Sequence, residues 1–185
     1  MEFSGKYQID RKRQAVWQAL NDPLMLKQCI PGCESIDKVS DTEFDARVTA
    51  SIGPVRTRFR TVLSLEDLNP PESYRLAGVS RGGAAGFARG SANVHLEENA
   101  GRTLLRYDAS FTVGGKLAQV GSRLVLGAVR KTADEFFRAF SRALDPAADK
   151  AEEVEGPARR PIVSGTWLAI SGALVVLLIW WFLLR

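Results

Sequence analysis

The chain is poor in the side chains that most often bind metals or carry out catalysis. Among its 185 residues it has one histidine, His95, and two cysteines, Cys29 and Cys33. Three residues separate the cysteines, which matches neither a redox C-x-x-C motif nor a four-ligand zinc set, so we expect two reduced thiols. His95 lies on the polar side of a predicted strand, without a second histidine or a group of carboxylates beside it. The sequence therefore predicts no metal site and no catalytic residues.

Other absences argue against secretion and nucleotide binding. The first residues, MEFSGKYQIDRKRQ, lack the apolar stretch of a signal peptide. The glycine-rich segment RGGAAGFARG, residues 81–90, is not followed by the helix or the Lys-Ser/Thr pair of a phosphate-binding loop. We interpret it as a connection between strands, in which Phe87 is a candidate lid over a nearby cavity. The alternative for Phe87 is an ordinary hairpin loop.

A long apolar run is present near the end of the chain. Residues 162–184 contain no charged side chain. These 23 residues would form a helix of roughly 34 Å, enough to cross a hydrocarbon layer of about 30 Å. Trp167 lies near one end of the run and Trp180 and Trp181 near the other, where tryptophans mark membrane interfaces. We predict a single-pass C-terminal membrane anchor.

The segment before the anchor, residues 145–161, is rich in Pro, Ala and Glu and has no apolar periodicity. We interpret it as a flexible linker with a span of roughly 20–25 Å. Arg159 and Arg160 lie on the domain side of the anchor and Arg185 on the other. The positive-inside bias then places the domain in the cytoplasm, at the cytoplasmic membrane.

The first 144 residues are predicted to form one α+β domain. Apolar and polar residues alternate with a period of two in about seven segments, which predicts strands with one wet face and hence an antiparallel sheet. The segments are 2–9, 34–40, 43–52, 55–65, 73–80, 91–97 and 104–113. One helix is predicted after Asp10, ending before Pro23, and a second over residues 116–144.

The second helix has an uneven apolar stripe. Its later half carries Phe136, Phe137 and Phe140, whereas its first half is thin, with Ala118, Gly121, Gly127 and Ala128. Because protein interiors are closely packed, a thin helix over a curved sheet predicts an apolar cavity beneath residues 117–125. The alternative is that large sheet side chains fill this space. The candidate lining residues are Phe44, Val48, Phe59, Leu63, Leu76, Val94, Tyr107 and Phe111 on the sheet and Leu117, Val120, Gly121, Leu124 and Val125 on the helix.

Four arginines share the solvent face of the hairpin that turns at Gly53-Pro54. A two-residue turn places Arg47 directly opposite Arg60, and like charges in that position destabilise a sheet. A partner protein or an anionic lipid would relieve the repulsion, so the set is a candidate docking surface; the alternative is a solvated face. The four are Arg47, Arg56, Arg58 and Arg60. The basic strip lacks interleaved exposed aromatics, which argues against nucleic-acid binding.

Four motifs give the domain a family resemblance. They are QCIPGCESI at 28–36, SIGPVRTRF at 51–59, GFARGSANV at 86–94 and VGGKLAQVGSRLV at 113–125. Together they resemble the G-subunit family of carbon monoxide dehydrogenase, within the START-related SRPBCC superfamily. The resemblance implies a helix-grip fold over residues 1–144, in which a curved sheet wraps a long C-terminal helix. It also implies a non-catalytic accessory protein that recruits a molybdenum hydroxylase, such as aerobic carbon monoxide dehydrogenase, to the cytoplasmic membrane and acts as a quinone carrier.

The residues and the resemblance lead to one main hypothesis. A tethered domain with an apolar cavity would take up an isoprenoid quinone from the bilayer, as a carried ligand and not a covalently bound cofactor, and present it to the redox enzyme. One alternative is a membrane scaffold with a filled core and no ligand. Another is a cyclase or dehydratase, which would need polar side chains inside the cavity, for which Thr57, Thr61 and Tyr107 are the candidates.

Overall fold

A computed structural model of the chain describes residues 1–144. The predicted linker at 145–161 and the predicted anchor at 162–184, with Trp167, Trp180 and Trp181, lie outside the described residues. Within residues 1–144, no helix combines the length and apolar character needed to cross a bilayer.

The alternating segments form one sheet of seven antiparallel strands, as predicted. In chain order the strands are β1 Glu2–Ile9, β2 Cys33–Lys38, β3 Glu43–Ile52, β4 Val55–Asn69, β5 Ser73–Arg81, β6 Phe87–Asn99 and β7 Arg102–Gly114. Their order across the sheet is β1-β7-β6-β5-β4-β3-β2. Each strand turns its apolar side chains to one concave face, because successive residues of a strand point to opposite sides.

Four α-helices accompany the sheet in residues 1–144, where two were predicted. They are α1 Arg13–Leu20, α2 Pro23–Cys29, α3 Lys116–Gln119 and α4 Ser122–Leu144. The first helix begins after Lys12, and not directly after Asp10. The first helix ends before Pro23, as predicted, but Pro23 also begins the second helix, α2, because proline fits the first turn of a helix. The Asp22 side chain caps α2 by accepting a hydrogen bond from the Leu24 amide at 2.9 Å.

The single helix predicted over residues 116–144 is divided at Gly121. This glycine has a φ of 94°, which a right-handed helix cannot contain. The break gives α3 and α4 independent directions. As a result Leu117 on α3 is buried, with 1% of its surface exposed, whereas Leu124 on α4 is 56% exposed.

The second half of α4 is fixed to the sheet by aromatic rings. Phe140 is fully buried in the core cluster, beside Ile9 and Leu105. The ring of Phe137 stacks on that of Tyr7 from β1, with centroids 4.0 Å apart. These contacts confirm the predicted role of the bulky half of the stripe, which covers one part of the concave face and leaves the rest to the thinner residues.

Glycines on the concave face let large side chains lie flat across neighbouring strands. A Cβ at Gly90 on β6 would clash with the carbonyl oxygen of Ser110 and would lie 2.6 Å from the Cβ of Phe111. A Cβ at Gly5 on β1 would lie 2.6 Å from the hydroxyl oxygen of Tyr107. Backbone atoms block a side chain at Gly90, so this position requires glycine, whereas a side chain at Gly5 would have to displace the ring of Tyr107.

The same substitution at two glycines should have opposite effects on stability. Gly90→Ala introduces a clash with backbone and should lower the free energy of unfolding by roughly 1–3 kcal/mol. Gly127→Ala, in α4, meets open space and should raise it by about 0.5–1 kcal/mol, because alanine is the better helix former. Urea unfolding of the full chain in mild detergent, followed by circular dichroism, measures both. A stable Gly90→Ala variant would contradict the tight β6–β7 contact.

Candidate ligand cavity and cationic face

A cavity of about 720 Å³ lies between the concave face of the sheet and helix α4. The structure brings ten of the predicted lining residues together around it. They are Phe44, Val48, Phe59, Leu63, Leu76, Val94, Tyr107, Phe111, Leu117 and Val125. The large side chains of the sheet therefore line the space without filling it. Its helix wall lies further along the chain than predicted, reaching from Val125 to Phe137.

Phe87 does not line the cavity, so the structure does not support it as a lid. Strand β6 begins at Phe87 itself, whereas the predicted strand began at 91. Alternation then puts Phe87 on the outer face, opposite its neighbour Ala88, which does line the cavity. The ring of Phe87 covers Gly114, its partner on β7, where an added Cβ would clash with the ring.

Val120, Gly121 and Leu124 also lie outside the cavity lining. The break at Gly121 turns this corner of the chain toward the β3–β4 turn. A Cβ at Gly53 would lie 3.3 Å from Val120 and 3.8 Å from Leu124, whereas a Cβ at Gly121 would meet nothing within 4 Å. The prediction that the cavity lies directly beneath these three residues is therefore wrong.

Sequence reasoning named Ala128 among the small residues of this helix but did not place it in the lining, and it missed Ala133 altogether. Ala128 and Ala133 face the cavity from the middle of α4, between Val125 and the rings of Phe136 and Phe137. The three- and four-residue spacing from Val125 through Val129 to Phe136 carried the signal. What the pattern lacked was the position of the helix break, which decides which small residues face inward.

The exposed residues of the lining indicate where the cavity reaches solvent. Four of its lining residues are exposed, Gly32, Ser51, Lys131 and Thr132, and they mark the mouth. Lys131 and Glu135 form an ion pair at the mouth, with 3.7 Å between nitrogen and oxygen. Within residues 1–144 these two are the charged members of an otherwise uncharged lining.

Few polar groups lie deeper in the cavity. The hydroxyls of Thr61 and Ser80 are hydrogen bonded to each other at 2.7 Å. Tyr107 also lines the cavity, and burial raises the pKa of its phenol above the ordinary value, so it is neutral at physiological pH. Thr57, the third polar candidate, is not part of the lining.

The predicted cationic face forms, but half of it is neutralised within the chain. Arg47 lies directly opposite Arg60, as the two-residue turn predicted. Arg60 pairs with Asp45 at 2.6 Å, and Arg58 pairs with Glu34 from β2 at 2.7 Å. Carboxylates thus relieve part of the repulsion that a partner was expected to relieve. Arg47 and Arg56 form no ion pair among residues 1–144, although the charge of Arg47 helps to lower the pKa of the Glu34 and Asp45 carboxyls.

The thiols of Cys29 and Cys33 are free, as expected. Burial raises the pKa of both thiols, so they are protonated at neutral pH. Among residues 1–144, no group of three or more histidine, cysteine, aspartate or glutamate side chains is arranged to hold a metal ion.

The fold and cavity can be compared with known proteins. The family model for CoxG, a subunit of carbon monoxide dehydrogenase, matches residues 5–145. The chain belongs to the CoxG family. A comparison with curated protein sequences gives no match. The CoxG match covers every residue that lines the cavity, apart from Phe3.

Solved structures share the fold of this CoxG-family chain. A conserved protein from Geobacillus kaustophilus is 27% identical, with a TM-score of 0.74 over 80% of this chain and 97% of that one. A START superfamily protein from Mycobacterium smegmatis is 11% identical, with a TM-score of 0.61 over 79% and 98%. The Zhui aromatase/cyclase from Streptomyces sp. R1128 is 12% identical, with a TM-score of 0.61 over 82% and 97%. The last two show the fold alone.

The ion pairs of the cationic face predict how stability depends on pH. Hydrogen bonding to Arg60 lowers the pKa of the Asp45 carboxyl, and hydrogen bonds from Thr49 and Arg58 lower the pKa of the Glu34 carboxyl. A carboxyl whose pKa is lowered by folding stabilises the fold fully above its unfolded pKa, and this contribution disappears as pH falls through the folded pKa. The variant E34Q/D45N should therefore lose less stability than wild type on acidification from about pH 7 to about pH 3.

Urea midpoints across this pH range measure the difference, which should be small because both ion pairs lie at the surface, where solvent screens them. The substitution Glu43→Gln, at an exposed carboxylate without an ion-pair partner in residues 1–144, serves as control. An identical acid profile for wild type and E34Q/D45N would show that the two pairs do not stabilise the fold.

Proposed function

We propose that this CoxG-family chain is a non-catalytic accessory protein that binds a respiratory quinone, or a similar isoprenoid lipid, in its cavity. It serves a cytoplasmic molybdenum hydroxylase such as aerobic carbon monoxide dehydrogenase and links that enzyme to the respiratory chain. The observation that carries the proposal is the apolar cavity of about 720 Å³. Sites that hold ligands of moderate size have volumes of about 300–1,000 Å³ and are mostly apolar.

The charge distribution of the cavity favours a neutral, apolar ligand. The two charged lining residues, Lys131 and Glu135, pair with each other at the mouth. Deeper positions are occupied by Phe, Leu, Val, Ala and Tyr side chains, against which burial of hydrocarbon is favourable. A quinone ring with its first isoprene units fits such a site, and a longer tail would leave through the mouth.

Other observations support the proposed partner enzyme and the proposed attachment to the membrane. The family description names carbon monoxide dehydrogenase, and accessory subunits of an enzyme must contact it. Arg47 and Arg56, which form no ion pair within residues 1–144, offer positive charge for that contact or for anionic lipid. The apolar run at 162–184, preceded by the flexible segment at 145–161, would hold the domain near the bilayer that contains the quinone.

The two alternatives have less support. A scaffold without ligand has no use for an unfilled volume of this size, because an empty apolar cavity lowers stability. Catalysis by a cyclase requires groups that donate or accept protons, and the deep polar side chains, Thr61, Ser80 and Tyr107, are neutral hydroxyls. The Zhui aromatase/cyclase is similar in fold at 12% identity.

A larger side chain on α4 that projects into the cavity should weaken ligand binding. Ala128→Phe places a ring in the lined space and should weaken quinone binding roughly tenfold, since overpacking costs about 1–3 kcal/mol. Ala118→Phe, at an exposed position of α3 outside the lining, is the matched control. The measurement is the amount of quinone that copurifies with the full chain, extracted and quantified by mass spectrometry. Absence of quinone from the wild type, or equal amounts in both variants, would contradict the proposal.

The anchor can be tested separately. Deleting residues 162–184 should move the protein from the membrane fraction to the soluble fraction of a cell lysate, because about 20 apolar residues hold a chain in a bilayer. Extraction of wild-type membranes with alkaline carbonate should leave the full chain in the pellet. Release of the full chain by carbonate would show that the apolar run does not span the membrane.

A further inference from the structure

The Thr61 and Ser80 hydroxyls form a polar position on the floor of the cavity. They lie directly opposite each other on the neighbouring strands β4 and β5 and are 2.7 Å apart. The residues next to them on the adjacent strands have small side chains. Ala46 on β3 lies beside Thr61, and Ala88 on β6 lies beside Ser80. No large side chain of this row covers the two hydroxyls from above.

Larger side chains stand on either side of the pair along β4. Phe59 and Leu63 are the next residues of β4 on the concave face, and both line the cavity. Leu63 lies across Gly78 and Phe59 lies across Gly82, each close enough that a Cβ on the glycine would be within 2.6–2.7 Å. The hydroxyls therefore lie between two apolar walls, in a slot that is open toward α4.

The Thr61 and Ser80 hydroxyls can form further hydrogen bonds beyond the one that joins them. Each hydroxyl has one hydrogen to donate and two lone pairs to accept with. One hydrogen forms the bond between Thr61 and Ser80, so one O–H and several lone pairs remain without a protein partner among residues 1–144.

The hydroxyls of two other threonines in the lining already have partners within the chain. Thr49 donates to the Glu34 carboxylate at 2.7 Å, and Thr132 donates to the backbone carbonyl of Ala128 at 3.0 Å.

We infer that the Thr61–Ser80 pair hydrogen bonds an oxygen of the carried ligand and so selects neutral ligands that bear a carbonyl or hydroxyl group. The inference rests on the proposed function, since it requires a ligand in this cavity. An isolated polar group in an apolar environment is unfavourable unless it is hydrogen bonded, so a ligand that brings no oxygen leaves the free O–H unsatisfied.

The pair also fits both redox forms of a quinone. Either hydroxyl can act as the donor in the bond between Thr61 and Ser80. The free O–H donates to a quinone carbonyl, and the free lone pairs accept from a quinol hydroxyl. The site would therefore hold the ligand before and after it is reduced. A phosphate or carboxylate headgroup is disfavoured there, because the one cationic lining residue in the described chain, Lys131, lies at the mouth and pairs with Glu135.

The test compares two probes in the full chain. One is a short-chain prenylated naphthoquinone, and the other is the same prenylated naphthalene without the two oxygens. The double variant T61V/S80A replaces both hydroxyls by apolar groups of similar size, so neither partner is left unsatisfied. Thr57→Val is the control, because Thr57 lies on the same face of β4 but outside the cavity lining. Binding is measured by gel filtration and mass spectrometry over a series of probe concentrations.

We expect the double variant to bind the quinone roughly three- to tenfold more weakly and the hydrocarbon as well as the wild type does, with T57V unchanged for both. Equal loss of both probes, or no loss of quinone, would overturn the inference and leave the proposed function standing. Failure of the wild type to bind either probe would overturn both. Should the double variant not fold, infrared spectra of the wild type with isotope-labelled quinone decide the matter. A lowered carbonyl stretching frequency on binding supports the hydrogen bond, and an unshifted one overturns it.

Discussion

Helix α4 must cover a curved sheet with side chains of very unequal size, and the rest of the structure follows from how it does so. Phe136, Phe137 and Phe140 reach the strands and hold the helix in place. Ala128 and Ala133, nearer the middle, cannot span the same distance. Close packing is therefore achieved at one end of the domain and not at the other. The cavity is the volume that remains, and its position on the helix is set by where the aromatic contacts begin.

The interior of the sheet could be predicted from the sequence because alternation fixes which residues share a face. The pairing of Arg47 with Arg60 could also be predicted, because the length of a two-residue turn fixes which residues of the two strands lie opposite each other. Alternation failed at strand ends, where no pattern marks the first residue. Phe87 was predicted to lie in a loop because the clearest alternation of β6 begins at residue 91, whereas the strand begins at Phe87. Ser80, at the end of β5, fell on the predicted strand but was not recognised as a cavity residue.

Two features of the site could not be predicted from local sequence patterns. The pairing of Glu34 with Arg58 requires β2 to lie beside β3, which local patterns do not state. The helix wall depended on one backbone angle at Gly121, and a glycine in a helical pattern is compatible with both a continuous and a broken helix. The eight sheet residues predicted to line the cavity do so, although others such as Ser80 were missed, whereas the helix side could be predicted in kind but not in position.

If the proposed ligand occupies the volume under α4, its binding is coupled to the stability of the fold. A hydrophobic molecule that enters this volume supplies the van der Waals contacts that the short alanine side chains do not, so the occupied domain resists unfolding more than the vacant one. Handing the molecule on returns the domain to its weaker state. In a cell, vacant copies would be degraded sooner than loaded ones, and the abundance of the protein would follow the supply of what it carries.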